Sequence, residues 1–272
     1  MGREYAEWIE TMRDSAAIIA LAAAVAVVAA CGILKRPVTG ESARWTVNVS
    51  PFEPDGTVDY DLVARAIDRR IEAANLSGEA VRDPASPSQL IVSVSGFTKD
   101  MDIAGYLFSS YRLEMKKAAR TETGSFKLYD SNEMAVAAMK EGDEVLPYTD
   151  SPGLPGKYLI VRKDVILKGD DIRDAQSMKG SDGNFGIMVQ LKPAAAEKFG
   201  QWTSRNVGSY LAIVLDGTVI SAPVIQGQIF DSAHIQGRFD KGPADQLALG
   251  LRSGSIPAAL KIVDGPVADP KR

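Results

Sequence analysis

A single cysteine and a single histidine in 272 residues exclude more chemistry than any motif in the chain supplies. Zinc sites draw on several Cys or His ligands, and Cys31 with His234 cannot provide them. A Ser-His-Asp or Cys-His arrangement would rest wholly on His234. One cysteine makes no intramolecular disulfide and says nothing about compartment. Positive charge is also in short supply: 31 Lys and Arg against 35 Asp and Glu leave a net charge of −4. That balance argues against nucleic-acid binding, which needs a basic face. The two local basic groups, Lys116-Lys117 with Arg120 and Arg65 with Arg69-Arg70, read as solvated helix faces. Long apolar runs are scarce as well, and the chain has only one.

What is present is ordinary globular material, 45% hydrophobic and 24% charged, in a length that suits one large domain or two modest ones. The one apolar run, Ala16 to Leu34, carries no charge and is flanked by Arg13-Asp14 and Lys35-Arg36. As a helix it spans about 28 Å, close to a bilayer core of about 30 Å. Two readings fit it. In one it is a single-pass anchor; in the other, Val28-Ala29-Ala30-Cys31-Gly32 is a lipobox whose Cys31 is the lipid-attachment residue. The n-region, with Arg3 and Arg13 against Glu4, Glu7, Glu10 and Asp14, is poor for a signal peptide. Under either reading the bulk of the chain is expected on the extracytoplasmic side of a cell envelope, tethered through residues 1–36.

Beyond the anchor, Trp45, Val47 and Val49 alternate with polar neighbours, a strand pattern. Leu62, Val63, Ala66, Ile67, Ile71 and Ala74 recur at helical spacing, with Arg65, Asp68, Arg69 and Glu72 opposite, which predicts an amphipathic helix lying on a sheet. A Pro/Ser loop, RDPASPSQ, leads to a second strand carrying Leu90, Val92 and Val94. A short helix DIAGYLFSS and a third strand YRLEMKK follow, opening a ferredoxin-like split βαβ unit. Residues 119–157 read as loop. Then come the strand KYLIVRKDVIL, a turn at SDGNFG, the strand IMVQLK, and a helix started by Pro193. A hairpin over Leu211 to Ile225 turns at Asp216-Gly217, and AHIQGRFD is a further strand. A helix ended by Gly254 and the strand PAALKIV supply the missing α-β half. The expected organisation is α+β: a ferredoxin-like base from residues 43–118 plus 241–264, an inserted α+β head over 119–240, and a disordered tail at 265–272.

The chain carries no complete chemical motif. KGSDGNFG does not match G-x-x-x-x-G-K-[ST], and a strand rather than a helix follows it. Asp170, Asp171 and Asp174 lack the spacing of a calcium loop and suit a helix start instead. Ser221 lacks the G-x-S-x-G elbow of a serine nucleophile, and Pro223 interrupts the strand beside it. The chain reads as a non-enzyme without cofactor or metal. A hydrolase built on Ser221 and His234 is the weak third reading.

Three long segments resemble the large extracytoplasmic domain of the SecD family of translocation accessory proteins. VILKGDDIRDA is similar to that family's Leu-x-Gly-Asp-Asp run, met here at Leu167, Gly169, Asp170, Asp171, Ile172, Asp174 and Ala175. YLAIVLDGTVISAPVI resembles another nearly residue for residue, with Asp216, Gly217, Ser221 and Pro223 as the head signature. LRSGSIPAAL resembles the closing signature, with Arg252, Ser253, Gly254 and Pro257. The base match is looser: AIDRRIEAAN stands where the family has an Arg-Arg-Arg run, and Ser95 replaces a Pro before Gly96. The resemblance covers about residues 43 to 264. It implies a base and head fold, involvement in protein export, and partners that are unfolded or exported polypeptides or components of the Sec translocon. Family members continue into membrane helices that couple to protons; this chain stops nine residues after Val263, so proton-driven export is not implied. The alternative is an envelope lipoprotein acting as a structural adaptor with one fixed partner.

Overall fold

A computed structural model describes residues 40–99, 101–119, 127–149, 157–181 and 183–267. The apolar segment, the lipobox around Cys31, and residues 268–272 of the expected tail lie outside the described residues. Among the described residues no helix is long and apolar enough to cross a membrane.

The base is the ferredoxin-like unit expected, assembled from different strands. β1 (Glu41–Ser50) runs into helix α1 (Tyr60–Ala73), then β2 (Ser77–Asp83) and β3 (Ser86–Phe97). Much later, helix α5 (Lys241–Ser253) and β13 (Ala259–Val267) close the unit. The sheet order is β13-β1-β3-β2, with every pairing antiparallel. Alternation explains it: Ala43, Trp45, Val47 and Val49 on β1, with Leu90, Val92 and Val94 on β3, all face the core, while their neighbours are half-exposed. Helix α1 is started by Asp59, whose carboxylate accepts from Leu62 N at 2.9 Å, and buries Val63, Ala66, Ile67 and Ile71. Each fully buried branched side chain contributes about 1.5–3 kcal/mol.

Two expectations for the base are corrected. β2 stands where only a connection is expected, because SGEAVRD shows a single buried position, Ala80, and lies on a sheet edge. The strand YRLEMKK, β4 (Leu113–Ala118), belongs not to the base but to the head, after α2 (Ile103–Phe108). The last strand also continues to Val267, three residues into the expected disordered tail, paired with β1 as far as Arg44.

The head holds two further sheets. Residues 119–157, expected as loop, include β5 (Leu128–Tyr129), α3 (Asn132–Ala138, capped by Ser131) and β6 (Asp143–Tyr148). Pro147 disguises β6. It is tolerated because β6 meets its second neighbour at one position only, Val219 opposite Tyr148. β7 (Lys157–Lys168) is one long strand. With β10 (Leu211–Leu215) and β11 (Thr218–Ser221), the order β4-β10-β11-β6-β7 closes into a ring because β7 also pairs with β4. Its interior is a separate small core of Ala118, Leu159, Val161, Ala212, Val214 and Val219. The third sheet is β12-β9-β8, made from β8 (Ile172–Lys179), β9 (Phe185–Leu191) and β12 (Ser232–Phe239). Helix α4 (Pro193–Arg205) opens with Pro at its first turn, as expected. A single large core runs from Val47 and Ile67 in the base to Met115, Ile187, Leu211, Ile213 and Ile235 in the head.

Candidate functional site

Two places in the molecule concentrate specific structure: the joint between base and head, and a groove in the head. The joint is built around Arg70. In the helical pattern of α1 it falls on the apolar stripe with Val63, Ala66, Ile67 and Ile71, and it is fully buried. Its guanidinium donates to the carbonyls of Tyr106 (3.4 Å), Leu107 (2.9 Å), Ser109, Ser110 (3.1 Å) and Gly254 (3.1 Å). The first four lie on the chain leaving the base for the head; the fifth caps α5, where the chain has come back. Tyr106 Oη returns a bond to Arg70 O at 2.9 Å, and the guanidinium sits 4.8 Å from the Tyr111 ring centroid. Burial pushes the Arg70 guanidinium down to about 10, so it stays charged at neutral pH; burial likewise pushes the Tyr111 phenol up to about 12. Arg70 is therefore not part of the solvated face expected for it, and its place in the apolar stripe is the signal that marks it.

Several of the signature residues gather at this joint. Asp216 and Gly217 have φ of +50° and +81°, the two left-handed positions of a type I′ hairpin turn. The Asp216 carboxylate accepts from Ser110 Oγ and from Arg112 N (2.8 Å), while its own N–H donates to Arg112 O at 3.0 Å. The turn therefore docks onto the outgoing segment. Gly254, at φ +90°, ends α5, and Ser253 Oγ donates to Gly250 O at 2.9 Å. Asp170, in the 3-10 turn Gly169–Asp171 between β7 and β8, accepts from Ser255 Oγ at 3.4 Å, and Gly169 lies against Leu113. Arg252 and Pro257 stand exposed beside these residues and outside their hydrogen bonds. Gly250 has its own reason: a Cβ there would stand 2.4 Å from the Tyr111 ring.

Lys116, also expected on a solvated face, is instead buried. Its ammonium meets Glu114 at 2.9 Å and Glu144 at 2.5 Å, tying β4 to β6 across the ring. Burial disfavours its charge, but the bonds from Glu144 and Glu114 outweigh that and raise its pKa overall.

The groove, of about 640 Å³, runs between β12 and the irregular segment 223–229. Ile229 stands half-buried on its wall above a floor of the buried Met115, Leu211, Ile213, Ile225 and Ile235; Gln226, Gln228, His234 and Gln236 give it polar groups, and no Asp, Glu, Lys or Arg among the described residues lines it. Consecutive residues Ser232 to Gln236 contribute, so the groove lies along the edge of β12 rather than on one face, and β12 ends its sheet. The opposite wall is held in place. Ile229 N donates to the buried Thr203 Oγ1 at 3.0 Å, and Leu211 N to Pro223 O at 2.9 Å. Gly200 lets this wall approach α4, since a Cβ there would stand 3.1 Å from Ile229 O. His234 packs over Gly186, where a Cβ would lie 2.5 Å from Nε2. Of the head signature, Pro223 reaches the groove and Ser221 does not; no hydrogen bond joins Ser221 to His234 among the described residues. The groove leaves no local mark in the sequence, because its walls come from four separated segments.

Most of the chain is similar to known proteins. Residues 143–258 match the family model for the SecDF P1 head subdomain. The protein translocase subunit SecD of Rhodobacter capsulatus is 28% identical over 237 residues, covering 86% of this chain and 40% of that protein. The SecD of Aquifex aeolicus is 39% identical over 127 residues, 47% of this chain and 25% of its own length. The chain thus spans less than half the length of these relatives. Among solved structures, SecDF in its super-membrane-facing form has a TM-score of 0.61 at 22% identity, over 85% of this chain and 31% of that one. A structure of the membrane component SecDF that enhances protein export has a TM-score of 0.56 at 23% identity, over 82% of this chain and 99% of that one.

Proposed function

We propose that this chain, similar to the SecD proteins along both base and head, is a membrane-tethered, extracytoplasmic accessory module of protein export that binds extended polypeptide in the head groove. The carrying observation is the edge of β12 facing a groove with an apolar floor and no Asp, Glu, Lys or Arg among the described residues that line it. An edge strand offers unpaired backbone groups, and an extended chain adds to it by β-augmentation, with pockets for alternate side chains. The wall opposite is pinned through Thr203 and Pro223, so the site is pre-formed and little ordering opposes binding. This is binding without turnover, with a segment of an exported chain as ligand and Sec translocon components as neighbours. The relationship to SecD supports the export role, and the groove supports the ligand.

Photo-crosslinking tests it. A photoreactive residue at Gln228 or Gln236 in the full chain, in its native membrane, should capture a translocation-arrested exported chain. The same probe at Glu79, on the far edge of the base, should not. Equal capture from both places would sink the reading.

A further inference from the structure

We infer that the groove reads alternation: it selects extended segments in which every second side chain is apolar, and it tolerates charge at the positions between. This rests on the polypeptide-binding reading above and sharpens it to a substrate class. A strand laid beside β12 continues both faces of its sheet, because side chains point alternately to the two sides. On β12, Ile235 is fully buried and Ala233 packs on the core, whereas Ser232, His234 and Gln236 are exposed. An added strand therefore presents one set of side chains to the half-buried Ile229 and the floor formed by the buried Leu211, Ile213 and Ile225, and the other set to solvent beside Ser232, His234 and Gln236.

The two sets meet opposite conditions. On the inner side, no Asp, Glu, Lys or Arg among the described residues lines the groove, so an inward charge would be buried without an ion-pair partner. On the outer side, a charge stays hydrated. The lining stretch Ser232–Gln236 has five residues, which at about 3.3 Å each extends about 17 Å, so a ligand contributes about five residues with two or three inward. An apolar residue gains from burial only at the inward positions, so a continuous apolar run gains little over an alternating one. The preferred ligands are segments patterned like half-buried strands, as in chains destined to fold into sheets or barrels.

The test uses fluorescein-labelled, C-terminally amidated heptapeptides and the full chain, read by fluorescence anisotropy. The parent is Thr-Val-Thr-Ile-Thr-Val-Thr. Replacing its central Ile by Asp should weaken binding at least tenfold, whereas replacing the Thr before it by Asp should change binding less than twofold. Ile229→Lys should weaken the parent peptide and restore the peptide carrying the inward Asp; Gln228→Lys serves the same purpose should Ile229→Lys fail to fold. Equal loss for the two Asp peptides would overturn the alternation inference while leaving the groove as a polypeptide site. Parent binding that is absent at millimolar peptide, or unchanged by both lysine variants, would overturn the groove reading itself.

Discussion

The base and the ring of the head are both small sheets, yet they are held together by different means. The base buries one face of β13-β1-β3-β2 under two helices, and its core continues without a break into the outer face of the head. The ring closes on itself around six small or medium apolar side chains, with the Lys116 cluster at one end. In the base, apolar area does the stabilising; in the ring, closure of the hydrogen-bonding circuit and one buried ion group take a larger share. The weakest contact of that circuit is the single pairing of Val219 with Tyr148. Base and joint should therefore behave as one cooperative unit, with the ring opening below the global unfolding free energy.

The two lobes meet at Arg70, and substitution there has the largest expected effect. Arg70→Met removes the donor to five carbonyls, of which Ser110 O keeps its bond from Ile256 N, and should cost about 3–5 kcal/mol in denaturant unfolding, as when one partner of a buried charged network is removed. Arg70→Lys should recover less than half, since an ammonium cannot span the same fork. A loss under about 1 kcal/mol, the size of one ordinary hydrogen bond, would show that the core alone sets the joint.

Lys116→Met probes the ring alone and should cost about 2 kcal/mol, because it leaves Glu114 and Glu144 crowded together. Its pH signature has a definite sign. A lysine raised in the folded state contributes stability below its ordinary value of about 10.4, and this is lost as pH rises through the raised value. The stability difference between wild type and Lys116→Met should hold from about pH 7 to about pH 10 and shrink above that. A difference growing with alkalinity would contradict the raised value.

Gly250→Ala should cost about 1–3 kcal/mol by forcing the Tyr111 ring aside, and a Tyr111→Ala background should remove most of that penalty. Additive losses would mean that the clash is relieved elsewhere. Asp216→Ala should cost about 1–2 kcal/mol, through the Arg112 N–H left without its acceptor. At the small end, Arg82→Ala removes an exposed pair with Asp61 on the base surface and should fall within about 0.5 kcal/mol.

The fold class is legible because period-two and period-3.6 patterns are strong in β1, β3, α1 and α5. What escapes is governed by partners distant in sequence. β4 has the pattern of a base strand, and nothing local says that it pairs with β10 and β7 instead. β2 and β6 escape because an edge strand and a strand with one nearly free side need little alternation and tolerate Pro147. Asp216-Gly217 is readable as a turn from two residues, but its docking on Ser110 and Arg112 is not. Arg70 is legible in part: a charge on an apolar stripe asks for a buried partner, although five backbone acceptors leave no mark in the sequence.

A guanidinium that grips carbonyl oxygens is indifferent to the side chains beside them. Tyr106, Leu107, Ser109, Ser110 and Gly254 are gripped through oxygens that any residue presents. What constrains the composition of that segment comes from its other contacts: the buried Tyr106 and Leu107, and Ser110 beneath the Asp216 turn. Such a coupling works as a fitting at one point: the arginine fixes where the chain leaves and re-enters the base, while the Asp216 turn and the shared core match this head to this base.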